Sequence, residues 1–424
     1  MPKKFNNPIR DAVGSVLARP RLNRLARELG VVKRQRKVCI VTFVAAVVLG
    51  FSTGAQRTLA GMRRAYEKVT GQTLAASGFY ARFNAELVQL LRRLVDDAMA
   101  QLQQQAPRLK HALARFEQVL AADGSLIQLH RSLAEHYPSV FPNKVGAAAK
   151  LHVVINVAGR SARSVQIVSG SRHDSTILKL GPWVAGKLLL LDLAYRKGLL
   201  YKRVADFGGY FLVRKKDDDD PVIVDSRWCG HRLSAMQHEF LGQAIDVLAL
   251  VPWSFDRGPD RRRRLLTVRL VGQWHPLEAR HHFYLTNVPC DMIATNNIGP
   301  IYAARWEVEL FFRELKLTYR LEQLPTRKRF VAEALILAAL LSLLLSRKLR
   351  EHLLPRQAVF APERWARLFA IFALDILRLF LARRPPPDAR HLFSVLRREA
   401  LDPNRKRQNL LQRAQLGRFR TAAN

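Results

Sequence analysis

"KLLLLDLAYRKGLLYKRVADFGGYFLVRKK", residues 187–216, sets the fold class of this 424-residue chain. Four consecutive leucines at 188–191 predict a strand buried on both faces, as in a sheet covered by helices. Residues 210–216 read as a second strand, rich in aromatic and apolar side chains. Between them, 194–207 carries apolar residues at helical spacing. A strand, a helix and a strand in sequence describe an α/β unit.

The same reading extends upstream. "VLAADGSLIQL" (119–129), "LHVVINV" (151–157) and "RSVQIVSG" (163–170) are short apolar runs bounded by Gly, Asn or Asp, and "HDSTILKL" (173–180) is a short helix before the leucine run. The expectation is an α/β protein with a mixed five-stranded sheet. Residues 217–291 break the rhythm. They open on "DDDD" (217–220), include "RGPDRRRR" (257–264), and hold further strand-like runs at 265–272 and 281–288, which together read as a β-rich insertion. After it come a long helix from near Gly299–Pro300 to about Leu317 and a buried helix at 330–349. The chain therefore divides into a helical N-terminal region (1–112), a core in two parts (113–216 and 292–350) around the insertion (217–291), and a basic helical C-terminal region (351–424) punctuated by "PPP" at 385–387. Within the N-terminal region, "TLAASGFYARFNAELVQLLRRL" (73–94) reads either as a turn and helix that set Ser77, Tyr80 and Arg82 against DNA or as an amphipathic helix with a solvated basic face.

Charge narrows the partner. Lys and Arg number 70 against 34 Asp and Glu, a net +36, and the pI is near 11.2. The excess is spread out: 20 basic against 6 acidic residues in 1–110 and 15 against 6 in 351–424. Such a surface calls for a polyanion, and the even spread favours nucleic acid over the single basic helix of a peripheral membrane protein. Cys39, Cys229 and Cys290 lie too far apart in sequence for a zinc site or a disulfide framework and fit a reducing cytoplasm. The apolar runs at 38–51 and 334–345 are shorter than the roughly 20 residues a bilayer-spanning helix needs and read as core helices.

The chemistry concentrates in "YAARWEVELFFRELK", residues 302–316. At about 100° per residue, Arg305, Glu309 and Lys316 fall within about 60° of Tyr302, whereas Glu307 and Glu314 point more than about 100° away. Glu309 is thereby the acid flanked by a tyrosine hydroxyl and two cations. Two aspartates stand at strand positions where a buried charge is costly unless it has a use. They are Asp123 in the first strand, where "DG" is also a common turn pair, and Asp192 at the end of the leucine strand. Neighbouring first and fourth strands would let their carboxylates converge with Glu309. Three carboxylates without a thiolate or histidine cluster make a hard-oxygen site suited to Mg²⁺ or Mn²⁺. Two such ions support in-line displacement at phosphorus. Asp174, after His173, reads as a helix-capping residue or an accessory acid, and His130, His152 and His282 as ordinary residues.

These residues match a known signature. Tyr302, two residues, Arg305, three residues, Glu309, six residues and Lys316 resemble the signature of the IS4 family of bacterial insertion-sequence transposases. "ADGS" (122–125), residues 192–216 and "FYLTNVP" (283–289) extend the likeness over roughly half of the chain. The resemblance implies a DDE enzyme with an RNase H-like core, in which Asp123, Asp192 and Glu309 bind two Mg²⁺ or Mn²⁺ ions and Tyr302, Arg305 and Lys316 contact DNA near the element's end. It further implies that the insertion handles the DNA end; Trp274 or Trp253 reads either as a residue that stacks on a flipped base or as a core residue of a strand. Double-stranded DNA, as the element's terminal inverted repeats and as target, would be the partner, with a homodimer at synapsis in a bacterial cytoplasm at the nucleoid. A hydrolytic nuclease of the same fold and a catalytically silent DNA-binding relative remain the alternatives.

Overall fold

The computed structural model describes residues 7–34, 38–52, 58–141, 143–255, 263–354, 360–382, 386 and 388–401. Most of the basic run at 257–264, residues 35–37 of the basic segment at 31–37, two prolines of the 385–387 triplet and everything beyond residue 401 lie outside them.

The strands are β1 (Val119–Leu129), β2 (Ala147–Asn156), β3 (Ser161–Ser169), β4 (Leu188–Leu191), β5 (Tyr210–Arg214), β6 (Val222–Ile223), β7 (Ile245–Phe255), β8 (Arg263–His275), β9 (Arg280–Thr286) and β10 (Gln323–Leu324). They form one mixed sheet in the order β3-β2-β1-β4-β5-β9-β8-β7-β6, with β10 pairing on β1. β1, β4 and β5 run parallel; β2 and β3 are antiparallel neighbours on one side. The five strands expected from the sequence are thus the contiguous half 3-2-1-4-5, an RNase H-like arrangement. The insertion does not stand apart from it: β9 pairs antiparallel with β5 and continues the same sheet.

The leucine run shows why β4 is central. All four residues are buried, and they alternate between two cores on opposite faces: Leu188 and Leu190 join one, Leu189 and Leu191 the other. Parallel strands need a crossover, and α8 (Gly198–Asp206) supplies it between β4 and β5. Two short helices, α7 (Asp174–Ile177) before β4 and α9 (Leu233–Met236) in the insertion, complete this side.

The first core is built mostly from helices. α1 (Pro8–Val16), α2 (Arg19–Glu28), α3 (Ile40–Ser52), α4 (Leu59–Thr70), α5 (Ala76–Tyr80) and α6 (Ala85–Gln104) precede the sheet. α10 (Thr295–Ala303), α11 (Trp306–Tyr319) and α12 (Arg329–Leu353) follow it, and α13 (Pro362–Ile371), α14 (Ala373–Leu381) and α15 (Ala389–Ala400) end the described chain. α12 is long and apolar enough to cross a bilayer, but 89% of its apolar window is buried inside the protein. It packs on α6, α1 and α3 as a central core helix that ties both terminal helical regions to one face of the sheet. Side-chain caps start three of these helices: Asn7 accepts from Arg10 N–H, Thr58 from Gly61 N–H and Asn84 from Leu87 N–H. At the 73–94 segment, Ser77 is exposed, Tyr80 is half-buried, and Arg82 donates back to the Gly78 carbonyl.

The long helix expected from Gly299 to Leu317 is two helices. Arg305 N–H bonds to Tyr302 O at 2.9 Å, and Glu307 N–H to Ala304 O at 3.2 Å. These three-residue closures tighten the chain and part α10 from α11. Pro300 lies inside α10, where it offers no N–H to the ladder.

Candidate active site

The two aspartates sit side by side. Ala122 of β1 and Leu191 of β4 are register partners on adjacent parallel strands, and Asp123 and Asp192 are the next residue on each. Ala122 and Leu191 face the second core, so strand alternation turns both aspartates to the other face, against which α11 packs. β4 ends at Leu191, and Asp192 keeps an extended backbone (φ −82°, ψ 170°) before a short turn.

The setting of Asp123 shows in its protonation. Burial pushes the Asp123 carboxyl up to about 6 against a hydrogen bond from Gly124 N–H, with the charge of Asp192 raising it further and that of Arg305 opposing. The N–H of Gly124 reaches Asp123 Oδ1 at 2.7 Å.

Arg305 is the hub of the helical side. Its Nη2 donates to Glu309 Oε1 at 2.7 Å; its guanidinium lies 5.8 Å from the centre of the Tyr302 ring. Although its own burial opposes the charge, Tyr302, Asp192 and Glu309 hold its guanidinium more firmly protonated than usual. Burial raises the Tyr302 hydroxyl to about 12 despite the nearby Arg305 charge. The phenol stays protonated at working pH and is a hydrogen-bond donor. Tyr302 also packs on Tyr284 of β9, ring centres 5.2 Å apart. Lys316 lies half-buried in the last turn of α11.

Asp123, Asp192, Arg305, Tyr302 and Glu309 thus form one electrostatic neighbourhood, within which Glu309 is joined to the aspartates through Arg305. Among the described residues no three His, Cys, Asp or Glu side chains are gathered closely enough to hold an ion. The donor set nonetheless suits a divalent cation. Two adjacent, half-buried carboxylates, one with its proton affinity raised, form a site that a hard cation relieves, and Arg305 holds part of that charge balance.

Behind Asp123 lies a network that sequence reading passed over. Lys150 Nζ bonds Asp174 Oδ2 at 3.0 Å and the Arg172 carbonyl at 2.6 Å. His152, opposite Gly124 across β1 and β2, has its Nε2 2.7 Å from the Tyr195 hydroxyl. Burial depresses the His152 imidazole to about 4 and keeps it neutral. Tyr195 is raised well beyond the ordinary phenol range by burial and by Asp174, Asp123 and Asp192. Asp174 is therefore no simple cap; it begins α7, whose N-cap is His173. Lys150 and His152, two apart on one face of β2, were the available signal.

The insertion strands continue the sheet beside β5. Arg214, one residue past the level of Leu191 through the β4–β5 register, pairs with Tyr284 of β9. Trp274 of β8 faces His281, three residues further along β9, or about 10 Å beyond that level at 3.3 Å per residue. The half-buried Trp274 ring meets His281 edge-on at 5.0 Å. Trp253 on β7 is half-buried with Lys202 and Arg264 each 5.8 Å from its ring centre. The structure does not bring either tryptophan into the carboxylate cluster.

Comparison with known proteins identifies the family. The sequence model of the family described as "Transposase DDE domain" matches residues 114–345, which span β1 through most of α12. Among curated proteins, the "Transposase for insertion sequence element IS231F" of Bacillus thuringiensis subsp. israelensis is 20% identical over 377 residues, covering 79% of each chain. The transposase for IS1151 of Clostridium perfringens is 19% identical over 366 residues, covering 77% of this chain and 76% of its own. That for IS231C of Bacillus thuringiensis subsp. berliner is 21% identical over 345 residues, covering 73% and 72%.

Proposed function

We propose that this chain, which belongs to the Transposase DDE domain family, cuts and joins the ends of its own insertion sequence by phosphoryl transfer at Asp123, Asp192 and Glu309. The observation that carries the reading is the placement of Asp123 and Asp192 side by side on adjacent parallel strands, beneath the helix that holds Arg305 and Glu309. The three carboxylates would hold two divalent ions, Mg²⁺ or Mn²⁺, which when bound supply Lewis-acid charge to the attacking and departing oxygens of an in-line displacement.

The rest is work for the chain's own groups. Arg305, permanently charged and partly shielded from water, sets a guanidinium beside the carboxylates, where it can clamp a phosphate in bidentate fashion. Tyr302, held protonated, donates a hydrogen bond to a phosphate oxygen and does not serve as a nucleophile or base. Lys316, toward the far end of α11, adds a point charge for the DNA backbone. Trp274, on the insertion about 10 Å beyond the level of the aspartates, would stack on an unpaired base of DNA reaching it from the carboxylates. The net +36 draws in the duplex and makes its binding salt-sensitive.

The reaction runs in two transfers. Water attacks the phosphodiester at each end of the element and releases a 3′-hydroxyl. That hydroxyl then attacks a phosphodiester of the opposite strand or of target DNA, and the bond broken leaves a new 3′-hydroxyl behind. A homodimer would bring two ends together in the bacterial cytoplasm, at the nucleoid. The test is a duplex carrying the inverted repeat that flanks the gene, labelled at the end and incubated with a target plasmid. Cleavage with joining supports the transposase; cleavage without joining supports a nuclease of the same fold. Glu309→Gln should remove both reactions and leave binding intact. Cleavage by Glu309→Gln at the unaltered rate would defeat the reading.

A further inference from the structure

α11 carries three glutamates, and the structure gives the two outside the site a definite task. Glu307 is buried; its Oε2 lies 2.7 Å from Arg160 Nε and its Oε1 accepts from Arg160 Nη2 at 3.0 Å, a two-pronged pair. Glu314, two helical turns on and on the same face, pairs with Arg347 of α12 at 2.9 Å, with side chains only 12% and 8% exposed. Arg347 also donates to the Arg160 carbonyl and lies 4.9 Å over the Phe311 ring. The three parts are therefore locked to one another: α11, α12 and the turn between β2 and β3. Arg160 holds its place in that turn with a positive φ of 50°, and Asn156 Oδ1 accepts from Ala158 N–H at 3.0 Å to brace it.

Glu309 lies about 200° around the helix from Glu307, on the opposite side. The apolar residues between, among them Val308, Phe311 and Leu315, attach α11 to the core, but apolar burial is non-directional and tolerates small rotations and slides. An ion pair near each end of the back face, two-pronged at Glu307 and single at Glu314, does not. Buried ion pairs add little net stability over apolar residues of similar size, so their physical return here is orientation.

We infer that the Arg160–Glu307 and Arg347–Glu314 pairs fix the rotation and height of α11 and so aim Arg305 and Glu309 at Asp123 and Asp192, which makes Arg160 and Glu307 positioning residues for strand cleavage. This rests on the reading of Glu309 as catalytic. Replacement of the first pair by apolar residues, Arg160→Met with Glu307→Met, separates orientation from stability. The expected double variant melts at or above the temperature of the unaltered protein and binds the labelled inverted-repeat duplex equally well. Its single-turnover cleavage rate at saturating duplex falls by about 100-fold, the scale of a misplacement near 1 Å. Glu314→Gln, which leaves Arg160–Glu307 in place, gives a second measure should the double variant not fold; its saturating rate should fall while duplex affinity holds. A folded variant that cleaves at the unaltered rate overturns the inference. Glu309→Gln run beside it keeps the two levels apart: if Glu309→Gln is inactive and the double variant fully active, only the positioning role fails. If Glu309→Gln itself is active, the reading beneath it fails.

Discussion

Arg305 Nη2 lies 2.7 Å from Glu309 Oε1, and the same guanidinium feels the charge of Asp192. One cationic side chain thus spans the helical and the strand carboxylates. Removing it should leave excess negative charge that a divalent ion can answer. Arg305→Ala in EDTA is expected to be less stable by about 1–3 kcal/mol, the cost of orphaning a charge-assisted partner. Mg²⁺ should raise its melting temperature by more than it raises that of the unaltered protein. Thermal melts with and without Mg²⁺ check this; an equal response in both proteins would show that Arg305 does not balance the site.

The raised Asp123 carboxyl gives a pH signature. Its value in the folded protein, about 6, stands above the ordinary 3.8, so the folded state favours the protonated acid. The stabilising contribution is complete below about pH 4 and is lost as pH rises through about 6. Asp123→Asn removes that dependence. Without divalent ions, the variant should melt above the unaltered protein at pH 8 and together with it at pH 4, while cleavage is lost. Melts at the two pH values decide it.

Gly124 is where the network behind the site touches the strand that carries Asp123. A Cβ there would come 2.0 Å from Asp174 Oδ1 and 3.1 Å from Lys150 Cδ. Gly124→Ala should cost about 1–3 kcal/mol by overpacking and slow cleavage. Adding Asp174→Ala should return part of the lost stability, because the two sites share one space and couple non-additively. Denaturant unfolding of the two single variants and the double variant measures that coupling.

Lys316 is assigned to the DNA backbone. Lys316→Ala should weaken binding alike for specific and unrelated duplexes and reduce the salt slope of the binding constant by about one. Titrations across a salt series test it; a change confined to one sequence would instead mark Lys316 as a base reader.

The parts legible in the sequence are those governed by local periodicity. Leu188–Leu191 announced a strand buried on both faces, and the structure divides those leucines between two cores. The 100° turn of a helix separated Glu309 from Glu307 and Glu314, and the structure sends the latter two to Arg160 and Arg347. What stayed hidden depends on distant or finer contacts. Arg160 and Glu307 are 147 residues apart, and no local pattern links them. The break between Ala303 and Trp306 arises from backbone closures one residue tighter than the α-helix, which apolar spacing does not register. His152 looked ordinary because its partner, Tyr195, reaches it only through the sheet and the turn after β4.

The central claim is that oxygens of Asp123, Asp192 and Glu309 close around divalent ions. Anomalous diffraction from crystals of the full chain soaked in Mn²⁺ with the inverted-repeat duplex tests it most directly. The expected map places manganese within about 2.2 Å of a carboxylate oxygen from each of the three, with Arg305 no longer paired to Glu309. Manganese bound by the two aspartates while Glu309 keeps its bond to Arg305, or manganese bound elsewhere, would contradict it.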